Sequence, residues 1–147
     1  MPREPFVFFV DRSLGKRDVP DALRAVLTAG ESITIHDDIL PPDTDDREWV
    51  KHAAERGWII LSKDSRLRRN PLELEALRNS GAAAFMLANG SLSGAQQGAA
   101  MALALPRIRT AVRRFDVAII ASVNVDGAVT VIWAGGEKLL KPKLLKK

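Results

Sequence analysis

No cysteine occurs among the 147 residues, so disulfides and thiolate zinc sites are both excluded. Histidine is nearly absent too. His36 and His52 cannot build a zinc site by themselves and read as surface or structural residues. Any metal must lean on carboxylates, which suits Mg2+ or Mn2+. No run is apolar for long enough to cross a membrane. The apolar start at Phe6–Val10 is also too short for a signal peptide, so the expected location is the cytoplasm, with no membrane partner. Internal repeats and low-complexity linkers are missing. The one shift in composition is the Lys-rich end, which divides the chain into a domain over 1–137 and a basic tail over 138–147.

What is present fits one soluble α/β domain. Apolar residues make up 46% and charged residues 27%, enough to bury a core at this length. The net charge of +4 is compatible with a phosphate-bearing partner, and equally with an ordinary solvated surface. Phe6–Val10, Ile33–Ile35, Trp58–Leu61 and Ala82–Leu87 read as strands, the first and third of them buried. Between them lie helical patterns. One is capped by Asp18 and stopped by Gly30, the next opens at Asp45 with Glu48 in capping-box spacing, and a third opens at Pro71. An acidic, proline-bearing loop spans Asp37–Thr44. A long Ala-rich helix runs from about Leu92 to Phe115 and carries Pro106. Val117–Val123 and Val129–Trp133 flank an Asp126-Gly127 turn and predict a hairpin. The expected fold is a three-layer α/β/α domain with a mainly parallel central sheet and a C-terminal hairpin.

Asp11 and Asp64 each follow a strongly apolar strand, so parallel pairing puts them at one sheet edge, where such folds place their sites. Asp46 opens the helix that feeds the strand before Asp64. Three carboxylates brought together repel one another unless they are protonated or share a cation. A magnesium ion takes carboxylate and water oxygens and leaves positions for substrate phosphate. Other readings stay open at each position. Asp11 could cap a loop, Asp45 could cap a helix, Asp46 could serve the helix dipole, and Asp64 could pair with the arginines that follow it. Glu48 could complete a cap or reach a metal. Lys63, Arg66, Arg68 and Arg69 crowd around Asp64 and suit phosphate oxygens, or form a solvated loop. Trp49 and Trp58 read as core.

Phe-Phe-Val-Asp at 8–11, Asp46-Arg-Glu-Trp49, and Gly-Trp-Ile-Ile-Leu-Ser-Lys-Asp at 57–64 together resemble the PIN-like domain family. The nearest pattern is the branch with VapC-like toxins of type II toxin–antitoxin systems, and the stretch from Arg66 to Leu77 is similar to it as well. The resemblance covers residues 6–90. It implies a parallel sheet, a Mg2+- or Mn2+-dependent endoribonuclease acting on RNA, and inhibition by a cognate antitoxin. By position it puts the catalytic, metal-binding acids at Asp11, Asp46 and Asp64, with Asp45 and Glu48 as additional candidate ligands. Many family members have a further acid after the fourth strand, where this chain has Asn89. Asparagine coordinates without charge, which leaves open a catalytically inactive, partner-binding domain. A homodimer is compatible with either reading. A response-regulator receiver fits less well, because Arg12 follows Asp11 where it needs an acidic pair and its Lys-Pro is missing. A haloacid-dehalogenase-type phosphatase needs an acid where Ser13 stands.

Overall fold

The computed structural model describes residues 2–63, 71–88, 91–115 and 117–145. Its element order alternates strand and helix for most of its length. Strand β1 (Val7–Val10) leads through a short 3-10 turn (Arg12–Leu14) into helix α1 (Asp18–Arg24). Then come β2 (Ser32–Ile35), α2 (His36–Ile39), α3 (Asp46–Glu55) and β3 (Ile59–Lys63). Helix α4 (Pro71–Ser80), β4 (Ala83–Leu87) and the long α5 (Gly94–Arg114) follow, and β5 (Ile119–Val123), β6 (Val129–Ala134) and β7 (Glu137–Leu145) close the chain.

Among the described residues the strands form one sheet in the order β2-β1-β3-β4-β5-β6-β7. The first five in that order run parallel; β6 and β7 are antiparallel additions. The inner strands β1, β3 and β4 carry runs of consecutive apolar residues because both faces are covered, whereas the edge strand β2 alternates Ser-Ile-Thr-Ile. Phe8, Val10, Ile59, Leu61 and Phe85 face a core shared with Leu23 of α1 and Met101, Leu105 and Ile108 of α5. Phe9, Ile60, Ala84 and Met86 face the opposite core, built with Trp49, Val50 and Ala53 of α3 and Leu77 of α4. This is the expected three-layer α/β/α arrangement.

Direction along the sheet reverses at β1. The chain steps from β1 to β2 on one side and then returns to place β3 on the other. In open α/β sheets the crevice at the carboxyl ends of such a strand pair is where ligands bind. Asp11 and Ser62 lie at that crevice.

Several details depart from the sequence reading. Asp18 is the first residue of α1, not its cap, which is Arg17. The Asp18 carboxylate instead packs against the start of α5, where an added Cβ on Gly94 would run into it. Helix α1 ends at Arg24 rather than near Gly30. The segment after it is held open by buried Arg109, which donates to the Val26 carbonyl at 3.0 Å and to Glu31 at 2.8 Å and 2.9 Å. The acidic loop begins with the short α2. Residues 138–145, set apart in sequence as a basic tail, belong to β7, paired with β6. Leu139 and Leu145 of β7 pack on the main core, while the lysines stay on the exposed edge, where charge discourages strand-to-strand aggregation. No helix among the described residues is long and apolar enough to cross a membrane.

Candidate metal centre

Asp11 leaves β1 as a buried carboxylate, only 2% exposed. Its backbone N–H donates to the Leu61 carbonyl at 3.0 Å, continuing the β1–β3 ladder one step beyond the strand. Two hydroxyls converge on its Oδ2: Ser13 Oγ donates at 2.7 Å and Ser62 Oγ at 2.8 Å. The backbone N–H of Ser13 reaches the same oxygen at 3.4 Å, so Asp11 also caps the 3-10 turn. The two serine oxygens lie 3.2 Å apart, and Lys63 N–H donates to Ser13 Oγ at 3.2 Å. Oδ2 is thereby fixed, while Oδ1 accepts no hydrogen bond from the described residues. A buried carboxylate with one oxygen held and the other open suits a cation.

Asp46 is half-buried at the first position of α3. Its Oδ1 accepts from the Trp49 indole Nε1 at 2.6 Å. Trp49 is fully buried and stacks on Phe9 of β1, with ring centroids 5.6 Å apart and planes 24° apart. The Asp46 carboxylate is therefore tied through one rigid ring to the strand that delivers Asp11. Asp45 is the helix cap; its Oδ1 accepts from Arg47 N–H at 2.8 Å, the second residue of the helix, not from Glu48. The Arg47 side chain and then its backbone N–H hold the Asp45 carboxyl below its ordinary value. Asp45 and Glu48 are both exposed.

A second cluster braces the same edge. Asp37 meets His36 Nδ1 and Arg12 Nε, each at 2.9 Å, and Lys16 Nζ at 3.6 Å. Burial pushes its carboxyl up, but the His36 bond and the Arg12 and Lys16 charges outweigh this and hold it below the ordinary range. Arg12 also donates to the Pro42 carbonyl at 2.7 Å, linking the turn after Asp11 to the loop that leads to Asp46. His36 is buried against Trp49, with centroids 6.3 Å apart, as a structural residue.

Of the residues expected at the site, the structure describes Asp11, Asp45, Asp46, Glu48 and Lys63. Asp64, Arg66, Arg68, Arg69 and Asn89 lie outside the described residues. Among the described residues alone, no group of three or more His, Asp or Glu side chains could hold a metal ion. Asp11 Oδ1 and Asp46 Oδ2 accept no hydrogen bond from the described residues, and β3 ends at Lys63, one residue before Asp64. Carboxylate oxygens are the donors that a hard divalent ion takes.

Sequence reasoning overlooked Ser13 and Ser62. Ser62 carried a signal, being a hydroxyl that directly continues the apolar run Ile59-Ile60-Leu61 of a buried strand, and it is 0% exposed in the fold. A polar side chain there needs a partner, and Asp11 is that partner.

The family model described as "PIN like domain" matches residues 6–89. The protein described as "Putative ribonuclease VapC45", from Mycobacterium tuberculosis, is 32% identical over 128 residues, covering 84% of this chain and 90% of that protein. No solved structure matches. Residues 6–89 contain β1 to β4 with Asp11, Asp46 and Ser62, so the matched region includes the edge just described. The chain belongs to the PIN-like domain family.

Proposed function

We propose that the protein is a divalent-metal-dependent endoribonuclease that hydrolyses RNA phosphodiester bonds, and that it is the toxin of a toxin–antitoxin pair. The observation that carries this reading is the buried Asp11 carboxylate at the switch point of the sheet, held on one oxygen by two serine hydroxyls, with no hydrogen bond to the other from the described residues. The name of the Mycobacterium tuberculosis relative supports the same class of activity. Asp11, Asp46 and Asp64 hold Mg2+ or Mn2+ in this proposal, with Asp45, Glu48 and Asn89 as additional candidate ligands. When bound, the ion lowers the pKa of a coordinated water and stabilises charge on the phosphate being cut.

The chain's own residues prepare that chemistry. Ser13 and Ser62 fix the Asp11 rotamer, so its open oxygen is presented without reorganisation. Trp49 does the same for Asp46. Lys63, Arg66, Arg68 and Arg69 hold RNA phosphates, contacts that position the strand without reading sequence. A cognate antitoxin then inhibits by covering this edge.

The test is RNA degradation with Mg2+ or Mn2+, with chelator, and with Asp64→Asn, which removes one charge at nearly constant volume. Cutting should need the ion and vanish in the variant while its thermal melt is retained. Full cutting in excess chelator, or a wild-type rate in the variant, overturns the proposal. A variant-independent loss of all activity with retained partner binding would favour a catalytically inactive, partner-binding domain.

A further inference from the structure

A cleft of about 450 Å³ opens beside Asp11 at the carboxyl edge of the sheet. Its lining includes Ser13, whose hydroxyl bonds Asp11, and the side of the cleft away from β1 is formed by Gly94 and Gln97 of α5. Lys16, Arg17 and Lys63 also line it, three cations against the single carboxylate of Asp18. The volume lies in the range of small-ligand sites and suits one nucleotide of a single strand, not a duplex.

Gln97 is the unusual member. It is only 6% exposed, yet it lines the cleft. Its Nε2 donates to the Leu92 carbonyl at 2.9 Å, which fixes the amide and assigns its orientation. Its Oε1 accepts no hydrogen bond from the described residues. A buried acceptor left open in a polar cleft is costly unless a ligand donor or water meets it. The donor that distinguishes RNA from DNA is the ribose 2′-hydroxyl.

We propose that this cleft binds the nucleotide next to the one being cut, with Lys16 and Arg17 on its phosphate and Gln97 Oε1 accepting from its 2′-hydroxyl. The inference rests on the nuclease reading and extends it to sugar selectivity. Lys16 can reach into the cleft because its side chain is 64% exposed and its Asp37 contact, at 3.6 Å, is longer than those of His36 and Arg12 at 2.9 Å. The Asp18 carboxylate lies against Gly94, on the same wall of the cleft as Gln97, where Lys16, Arg17 and Lys63 outnumber it.

The experiment measures binding of a short single-stranded RNA of fixed sequence to the full chain, in chelator so that nothing is cut. The same oligonucleotide is made with 2′-deoxy and with 2′-fluoro sugars; fluorine preserves the ribose-like pucker but cannot donate. Wild type should bind the RNA roughly five- to tenfold more tightly than either analogue, the size of one hydrogen bond. Gln97→Met should bring the three within about twofold of one another. Lys16→Ala with Arg17→Ala should weaken all three alike and reduce the salt slope by about 1.4, for two contacts on a single strand. Equal wild-type binding of RNA and the fluoro analogue overturns the sugar contact, whether or not Gln97→Met folds. RNA binding unchanged in the Lys16/Arg17 variant, with poly-glutamate binding lost, assigns the cleft to an acidic protein and overturns the proposal. If wild type binds none of the oligonucleotides, this inference is overturned, and metal-dependent cutting decides the nuclease reading separately. Binding without sugar preference, accompanied by metal-dependent cutting, leaves that reading standing and removes only this inference.

Discussion

Ser62 Oγ donates to Asp11 Oδ2 at 2.8 Å across a separation of 51 residues, joining the ends of β1 and β3 at the point where the strand order reverses. Both residues are buried, so the bond is made where water cannot replace it cheaply.

Ser62→Ala is expected to lower stability by about 1–2 kcal/mol, because a buried charged acceptor loses a donor. Ser13 remains on the same oxygen, so the fold should survive. If Asp11 is a ligand, calorimetric titration with Mn2+ should show affinity weakened about 10- to 100-fold, as when a metal ligand loses its orienting partner. Unchanged affinity would mean that Ser62 serves the fold alone.

Trp49→Phe keeps a ring on Phe9 and deletes the indole N–H that holds Asp46. The expected stability loss is about 1–3 kcal/mol, from one charged hydrogen bond and some packing. If Asp46 is a ligand, Mn2+ affinity should fall as well, while Asp45→Ala should remove the helix cap, lower the melting temperature slightly and leave affinity intact. The opposite pattern in the titrations would exchange the roles of Asp45 and Asp46.

The Glu31–Arg109 pair predicts a pH dependence of stability. Burial raises the Glu31 carboxyl, but the Arg109 bond, the Thr28 N–H and the Arg109 charge together hold it below its ordinary value. A carboxyl with a lowered folded pKa contributes stability above the unfolded value, about 4.3, and loses it as pH falls through the folded value. Glu31→Gln should therefore be less stable than wild type at neutral pH, with the gap closing in acid. Denaturant melts across that range read this directly, and a gap that widened in acid would refute the assignment. Arg109→Met, which leaves the buried Glu31 carboxylate with Thr28 but without its counter-charge, should be destabilised at neutral pH by about 3–5 kcal/mol.

Gly98→Ala tests the contact between α1 and α5. In an isolated helix this change would stabilise by about 1 kcal/mol. Here the added Cβ would lie 2.7 Å from the Asp18 backbone carbonyl oxygen and 3.0 Å from Ala22 Cβ, so α1 must move. Overpacking of this kind typically costs about 1–3 kcal/mol, and net destabilisation is expected in thermal melts. Gly94→Ala should be milder, because the obstacle there is the far end of the Asp18 side chain.

The sequence by itself determined the layers. Phe8 and Phe9 are apolar neighbours because they enter opposite cores, and a strand buried on both faces can be read as a continuous apolar run. It also determined where α3 and α4 begin, through Asp45 and Pro71, because caps and first-turn prolines act locally. The last strand was locally signalled but masked by composition. Gly135 and Gly136 both have positive φ and form the two-residue turn between β6 and β7, yet the lysines beyond them look like a solvated tail. An edge strand buries too little for its hydropathy to show. Tertiary structure alone decided the surroundings of the candidate site. Asp11 meets Ser62, Asp46 meets β1 through Trp49, and Asp18 turns from its own helix to α5. Local pattern follows from backbone geometry within a few residues, whereas these contacts depend on which strands lie side by side, a choice made by the whole sheet at once.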